Sequence, residues 1–301
     1  MTLALAVDLG GTKVEAAIVD DDGVIVPGTR HRAPTGEAAA GDAGVARESI
    51  ETVVRRALAA APAPVTAAGI GAAGPVDAGA GTTSPINLPA LRDFPIAEVV
   101  ARASGLDRVR LGLDGSCIAL AERWRGAARA CDDAIVLVVS TGVGGGVIVD
   151  GRLLGGASGN AGHLGQLVIE PFDGDPAPAT VERIASGPHT VRWARERGWA
   201  GSTGEELAAA YAAGDPLATE AVRRSAAAVG VGIANAATLL DLELAVVGGG
   251  FAQVAQDYVD LVQASARDAA QNAYAARIRV ERAQLGGEAP LIGAAALVLL
   301  D

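Results

Sequence analysis

Asp8-Leu9-Gly10-Gly11-Thr12-Lys13 joins two apolar runs, Leu3–Val7 and Val14–Val19. Two short apolar segments around a glycine pair predict a β-hairpin, with Asp8 delivered at the end of its first strand. Asp20-Asp21-Asp22-Gly23 makes the next turn, and Val24–Val26 reads as a third strand. The tip carries more chemistry than a turn requires. Two glycines expose backbone N–H groups, and a hydroxyl and the ammonium of Lys13 follow. Such a turn can cradle phosphate oxygens while Asp8 holds Mg²⁺, directly or through water. It is not a Walker A loop, because the spacing and the following helix are missing. An ordinary hairpin turn is the competing reading.

Farther along, the design repeats. Ala134–Ser140 reads as a strand, Thr141–Gly146 as a glycine-rich turn, Gly146–Val149 as the returning strand, and Asp150-Gly151 as the closing turn. Two lobes of related build, each offering one glycine hairpin to a shared ligand, would produce this repetition. ATP has β- and γ-phosphates to hold, and Thr141, Gly142 and Gly144 join Gly10, Gly11 and Thr12 as candidate contacts. A third bare stretch, Val247-Gly248-Gly249-Gly250, ends the strand Leu244–Val247, and Gly248 and Gly249 suit a base or ribose packed flat against them.

Between these hairpins, helical periodicity covers Ala43–Ala60, with Val45, Ile50, Val53, Val54 and Leu58 on one face. A short strand, Ala67–Gly71, precedes a loop at Ala78–Asp93. A helix at Pro95–Ser104 leads to the strand Val109–Leu113, which stops at Asp114, and Ser116–Arg129 is helical. Phosphoryl transfer to an alcohol needs a carboxylate beside the attacking hydroxyl, and a strand-end Asp114 fits that base. A helix N-cap uses the same residue type, so position alone leaves both readings open. After a surface loop at 171–180, the later chain reads as helices, Val181–Ala185, Thr190–Arg197, Thr203–Ala213 and Pro216–Leu240. Two more helical stretches follow, separated by Ile278–Glu281 and Gly286-Gly287.

Composition bounds the function. The 301 residues are 50% hydrophobic and 3% aromatic, so the core is aliphatic. The net charge of −11 repels nucleic acid. Lys13 is the one lysine. Two cysteines, Cys117 and Cys131, make neither a disulfide framework nor a zinc site. No signal peptide or ~20-residue apolar span is visible, so a cytoplasmic enzyme with no membrane partner is expected.

Together these motifs resemble the ROK family of repressors, uncharacterised reading frames and kinases over nearly the whole chain. Asp8–Thr12 is similar to its first phosphate motif, Ser140–Gly146 to its second, and Val247–Gly250 to its nucleotide-side glycines. Gly69-Ile70-Gly71-Ala72-Ala73-Gly74-Pro75-Val76-Asp77 resembles its strand and turn, with Ala73 in place of proline. Asn87-Leu88-Pro89 resembles its sugar-contacting loop, with Leu91 in place of tryptophan. The resemblance implies an α/β fold of two actin-like (ribonuclease H-like) lobes with ATP and sugar in the cleft. It also implies a last helix that returns to the first lobe, and a homodimer. On that pattern residues 1–113, with about 289–301, form the N-terminal lobe, and 114–288 the C-terminal one. Asp114 is then the catalytic base, and Gly74, Asn87 and Glu182 contact substrate.

This chain departs from the family at the acceptor side. Leu113 precedes Asp114 where the family's sugar kinases carry Asn. Gly162-His163-Leu164-Gly165-Gln166 aligns with Gly-Glu-Ile-Gly-His, so His163 takes the Glu position and Gln166 the His position. The family's zinc-binding cysteines would fall near Pro171–Thr180, where there are none, so no zinc is expected. The expected activity is ATP- and Mg²⁺-dependent phosphorylation of a small-molecule polyol other than glucose, with a C7-cyclitol favoured over hexoses. A sugar-sensing regulator is the rival from another class. That rival is a sensor without a DNA-binding domain; a ROK transcriptional regulator would instead require a DNA-binding helix-turn-helix before the first strand.

Overall fold

The computed structural model describes residues 2–169 and 179–300. Most of the loop expected at 171–180 and of the segment expected to lack zinc ligands lies outside them. The chain divides into two compact units. The first comprises Met1–Arg129, Leu153–Ala161 and Gly287–Asp301, and the second Ala130–Arg152 and Gly162–Gly286.

The first unit is built on β1 (Leu3–Leu9), β2 (Lys13–Asp20), β3 (His31–Pro34), β4 (Ala67–Ala72) and β7 (Val109–Leu113), in the order β3-β2-β1-β4-β7. β1 runs antiparallel to β2 and parallel to β4, which runs parallel to β7. A hairpin of β5 (Val76–Asp77) and β6 (Thr82–Thr83) projects from the loop region. The helices are α1 (Gly36–Gly41), α2 (Ala43–Ala59), α3 (Ile96–Ser104) and α4 (Asp114–Arg125).

The second unit repeats this order: β10 (Arg152–Leu153), β9 (Val143–Val149), β8 (Ala134–Val139), β11 (Leu244–Gly248) and β12 (Arg279–Arg282). β8 is antiparallel to β9 and parallel to β11, and β11 is parallel to β12. Its helices are α5 (Val181–Ala185), α6 (Gly187–Glu196), α7 (Gly204–Ala212), α8 (Pro216–Leu240) and α9 (Tyr258–Ala269). The repeated hairpin expected from the glycine turns is thus one part of a repeated five-stranded sheet. This is the actin-like, ribonuclease H-like α/β class. Among the described residues no helix is long and apolar enough to cross a membrane.

The third strand is at His31–Pro34, not Val24–Val26. Asp20 Oδ1 accepts the N–H groups of Asp22 and Val24, which curls the chain out of the ladder. Only one isolated bridge, Val19 to Ile25, forms there. Pro27 then lacks an N–H, and Gly28 has φ of 80°. The chain rejoins β2 as an edge strand, pairing His31–Pro34 with Lys13–Ala16.

Alternation along β1 sorts its two faces. Leu3, Leu5, Val7 and Leu9 enter one core with Ile50, Val53 and Val54 of α2. Ala4 and Ala6 face Cys117 of α4 and Leu291, Ala294 and Ala295 of α10 (Ala289–Leu299), which belongs to the first unit. Small residues on that second face let backbones meet. A Cβ on Gly69 would lie 1.7 Å from the Ala294 carbonyl oxygen, and one on Gly293 would lie 1.6 Å from the Cys117 carbonyl oxygen.

Gly293→Val therefore drives α10 off α4 and β4. We expect a loss beyond the usual ~1–3 kcal/mol of overpacking, because backbone atoms cannot rotate aside. The melting temperature should fall by about 5 °C or more. A Cβ on Gly155 would meet nothing within 4 Å, so Gly155→Ala should leave it unchanged. Equal melting temperatures for the two variants would contradict this packing.

Candidate active site

Register places the first unit's acidic residues. Asp8 pairs with Glu15 on one side and Gly71 on the other, and Gly71 pairs with Gly112. Asp114 follows β7 directly and opens α4. Asp8 lies on the Ala4–Ala6 face of β1, the face that α4 and α10 cover. Gly71 and Gly112 bring no side chains to that row, and Cys117 Sγ fills part of the space: a Cβ on Gly71 would lie 3.1 Å from Sγ and 3.7 Å from Asp8 Oδ1. The thiol is pushed well up by burial, then by Asp8 and Asp114, so it stays neutral.

Asp8 is only 8% exposed. Burial, then the Asp114 and Glu15 charges, push its carboxyl from 3.8 to about 7, against a smaller opposite pull from Lys13 and Arg30. Asp114 is half-buried, and its Oδ1 accepts the Gly115 N–H at 2.7 Å. The N-cap position of α4 belongs to Leu113, whose side chain is buried in the core at 1% exposure. Asp114 is therefore the first helical residue, where the dipole favours negative charge.

The first glycine turn is closed by the Gly10 N–H donating to the Lys13 carbonyl at 2.9 Å, with Gly11 and Thr12 at its tip. A Cβ on Gly11 would lie 1.8 Å from Asn87 Nδ2, so the bare backbone lets this amide rest on the turn. Gly74 lies two residues past β4, held by the Ala73 N–H on the Leu9 carbonyl. Lys13 Nζ pairs with Glu15 Oε1 at 3.1 Å, so the ammonium is engaged within the hairpin. Glu15, 2% exposed, also takes Arg30 at 2.7 Å, and Arg32. Burial alone would raise the Glu15 carboxyl, but hydrogen bonds from Arg30, Arg32 and Lys13 outweigh it and hold it below the ordinary range.

The second unit assembles its own set. Glu182 Oε2 accepts the Val143 N–H at 2.9 Å, and Gln166 Nε2 donates to Glu182 Oε1 at 3.3 Å. A Cβ on Gly142 would lie 2.7 Å from Glu182 Oε2, so a side chain there would displace the carboxylate, whereas Gly144 faces open space. His163 is half-buried ahead of the single 3-10 turn Leu164–Gln166. A cavity of about 690 Å³ has Ser140 and Thr141 on its wall, with Val191, Phe251, Val254 and Arg192 among its lining. Gly250 and Phe251 line this cavity, while Gly248 and Gly249 line a second one of about 430 Å³. A volume of 690 Å³ is in the range that takes a cofactor-sized ligand.

Sequence reasoning missed Glu15, Arg30 and Arg32. It also missed Asn160, whose amide takes both the N–H and the carbonyl of Val76 at 2.9 and 2.7 Å. Glu15 had a signal, since it alternates with Val14 and Ala16 on a buried strand beside Asp8. Among the described residues no group of three or more His, Cys, Asp or Glu side chains is placed to hold a metal.

The ROK family model matches residues 4–300. The chain is 32% identical to an N-acetylmannosamine kinase of Yersinia pseudotuberculosis serotype O:1b (strain IP 31758), with 98% of each chain covered. Among solved structures, a ROK family glucokinase from Streptomyces griseus in complex with glucose and AMPPNP is 31% identical. It covers 99% of this chain and 100% of its own, with TM-score 0.84. A ROK hexokinase from Thermus thermophilus is 34% identical, covering 99% and 98%, with TM-score 0.81.

The Asp8 geometry has a pH signature. Ionising a carboxyl whose pKa is raised by folding costs stability. That stability is fully present below 3.8 and is lost as pH rises through about 7. Asp8→Asn removes the titration. In metal-free buffer the variant should be more stable than the parent at pH 8, by roughly 4 kcal/mol at most, with the gap shrinking toward pH 4. Thermal melts across this range check it, and a gap independent of pH would contradict it.

Proposed function

The chain belongs to the ROK family, and on that premise we propose that it is an ATP-dependent kinase phosphorylating a hydroxyl of a sugar or sugar-like ring polyol. One observation carries the reading: Asp8 and Asp114 stand at the same edge of the first unit's sheet, close enough to raise the Asp8 carboxyl. Asp114, the more accessible of the two, accepts the proton of the attacking hydroxyl. Asp8 suits a cation better than a proton-transfer role, because it is buried among acidic neighbours whose charge a cation would offset. Mg²⁺, brought on the nucleotide, would neutralise charge on the transferring phosphoryl group.

The remaining residues divide by unit. Gly10, Gly11 and Thr12 serve phosphate from the first, with Lys13 contributing through the hairpin it braces. Thr141, Gly142 and Gly144 serve it from the second. The 690 Å³ cavity beside Ser140 and Thr141 fits the nucleoside, with Val191 and Phe251 as apolar walls. Gly248 and Gly249 shape the adjoining backbone. Acceptor recognition is assigned to Gly74 and Asn87 in the first unit and to His163, Gln166 and Glu182 in the second. The resemblance further supports a homodimer acting in the cytoplasm, and the net charge of −11 disfavours a nucleic-acid partner.

Asp114→Asn tests the base. The amide keeps the shape and can still accept the Gly115 N–H, but it cannot take a proton. We expect kcat to fall by roughly 10²–10⁴-fold with AMPPNP affinity retained. Wild-type turnover in a folded variant would remove Asp114 from the mechanism.

For the acceptor we favour a ring polyol other than glucose, a C7-cyclitol or a modified sugar. Leu113 is spent on the core, and the Gln166 amide is already turned to Glu182. A site built to read hydroxyls rejects analogues that mismatch its donors and acceptors. The second reading, a hexose kinase, is favoured by the similarity to the Thermus hexokinase. Competition among glucose, mannose, N-acetylmannosamine and a C7-cyclitol decides between them. Glucose should not give the highest kcat/KM, and its winning would select the second reading.

A further inference from the structure

Glu182 touches both the turn assigned to phosphate and the side chain assigned to the acceptor. Its Oε2 holds the Val143 N–H, and its Oε1 takes the Gln166 amide. The surrounding backbone is packed tightly. A Cβ on Gly165 would lie 1.9 Å from the Val143 carbonyl oxygen, and one on Gly162 would lie 2.8 Å from Gly146 Cα. The segment 162–166 therefore rests backbone-to-backbone on the second glycine hairpin. Helix α5 is pinned at both ends. Thr180 Oγ1 accepts the Arg183 N–H, and Ser225 donates to the Ala185 carbonyl. With these elements fixed, the group that can shift is the half-buried Glu182 carboxylate itself.

We infer that Glu182 is a positioning residue that links acceptor binding to nucleotide binding, which rests on the kinase reading above. Without acceptor, the carboxylate occupies the Val143 N–H and sets a negative charge against a turn that must take phosphate. An acceptor hydroxyl donating to Glu182 competes for the same carboxylate charge and draws it off Val143, weakening that hydrogen bond. The N–H is then released to the phosphate. Because the linkage is thermodynamic, nucleotide must tighten acceptor by the same factor.

The test measures AMPPNP affinity by calorimetry, with and without saturating N-acetylmannosamine, glucose or a C7-cyclitol, for wild type and Glu182→Gln. In wild type, at least one acceptor should tighten AMPPNP by about 5–150-fold. Glu182→Gln should bind AMPPNP more tightly than wild type when no acceptor is present. Its acceptor effect should shrink to within about twofold, the floor set by losing most of that coupling. A merely structural role predicts weaker binding in both states. Should the variant fail to fold, the Val143 amide resonance of ¹⁵N-labelled wild type gives the same answer: it should move when the acceptor alone is added. No coupling in wild type, equal coupling in the variant, or an unmoved Val143 resonance would overturn the inference. If AMPPNP binds but coupling is unchanged in the variant, this inference alone falls. If AMPPNP fails to bind wild type, the kinase reading falls with it.

Discussion

A carboxylate buried beside a second carboxylate costs free energy, and the architecture of the first unit is organised around holding Asp8 in that position. β1 is buried on both faces, so any acid at its end loses water. Glu15 across the hairpin adds charge of the same sign, and three cations gather on Glu15 in response. Glu15 is buried but the side chains of Lys13, Arg30 and Arg32 are 40%, 34% and 60% exposed, so solvent screens these pairs and they add little net stability. Their effect here is positional. Arg32 ties β3 to β2, and Lys13 is held along β2 just past the first glycine turn. The placement of Asp8 is unfavourable for its ionised form, and a cation beside it, as proposed above, would offset that cost.

The second unit solves the complementary problem, which is to expose backbone N–H groups without letting the turn collapse. Its glycines are not interchangeable. Gly145 is forced by the Val136 carbonyl and Gly249 by a φ of 99° and the Val139 carbonyl, Gly142 leaves room for the Glu182 carboxylate, and Gly144 meets nothing. Packing explains the first three. No neighbour requires Gly144 to be bare, and its open backbone suits the phosphate contact proposed for it.

Much of this was legible in the chain. The apolar runs around Gly10-Gly11 and the Asp-Gly turns gave the two hairpins, and the strand ending at Leu113 placed Asp114. The rest lay beyond local pattern. His31–Pro34 is an exposed edge strand carrying Arg32 and His31, so no alternation marks it. The β5–β6 hairpin has two residues per strand, too few for a period to show. The Glu15 cluster draws Arg30 and Arg32 from 15 and 17 residues away, and Gln166 meets Glu182 across 16 residues of sequence. Such contacts are set by tertiary packing, which a window of sequence does not contain. Leu113 illustrates the same limit: the sequence marks a lost amide, while the structure shows a core residue.

The central claim is that this chain moves a phosphoryl group from ATP to a ring hydroxyl. ³¹P NMR of the wild-type protein with ATP, Mg²⁺ and a panel of hexoses, N-acetylhexosamines and cyclitols reads that event directly. A phosphate monoester resonance should grow one-for-one with ADP for at least one acceptor. ADP accompanied only by inorganic phosphate, or no consumption of ATP with any acceptor, would contradict it.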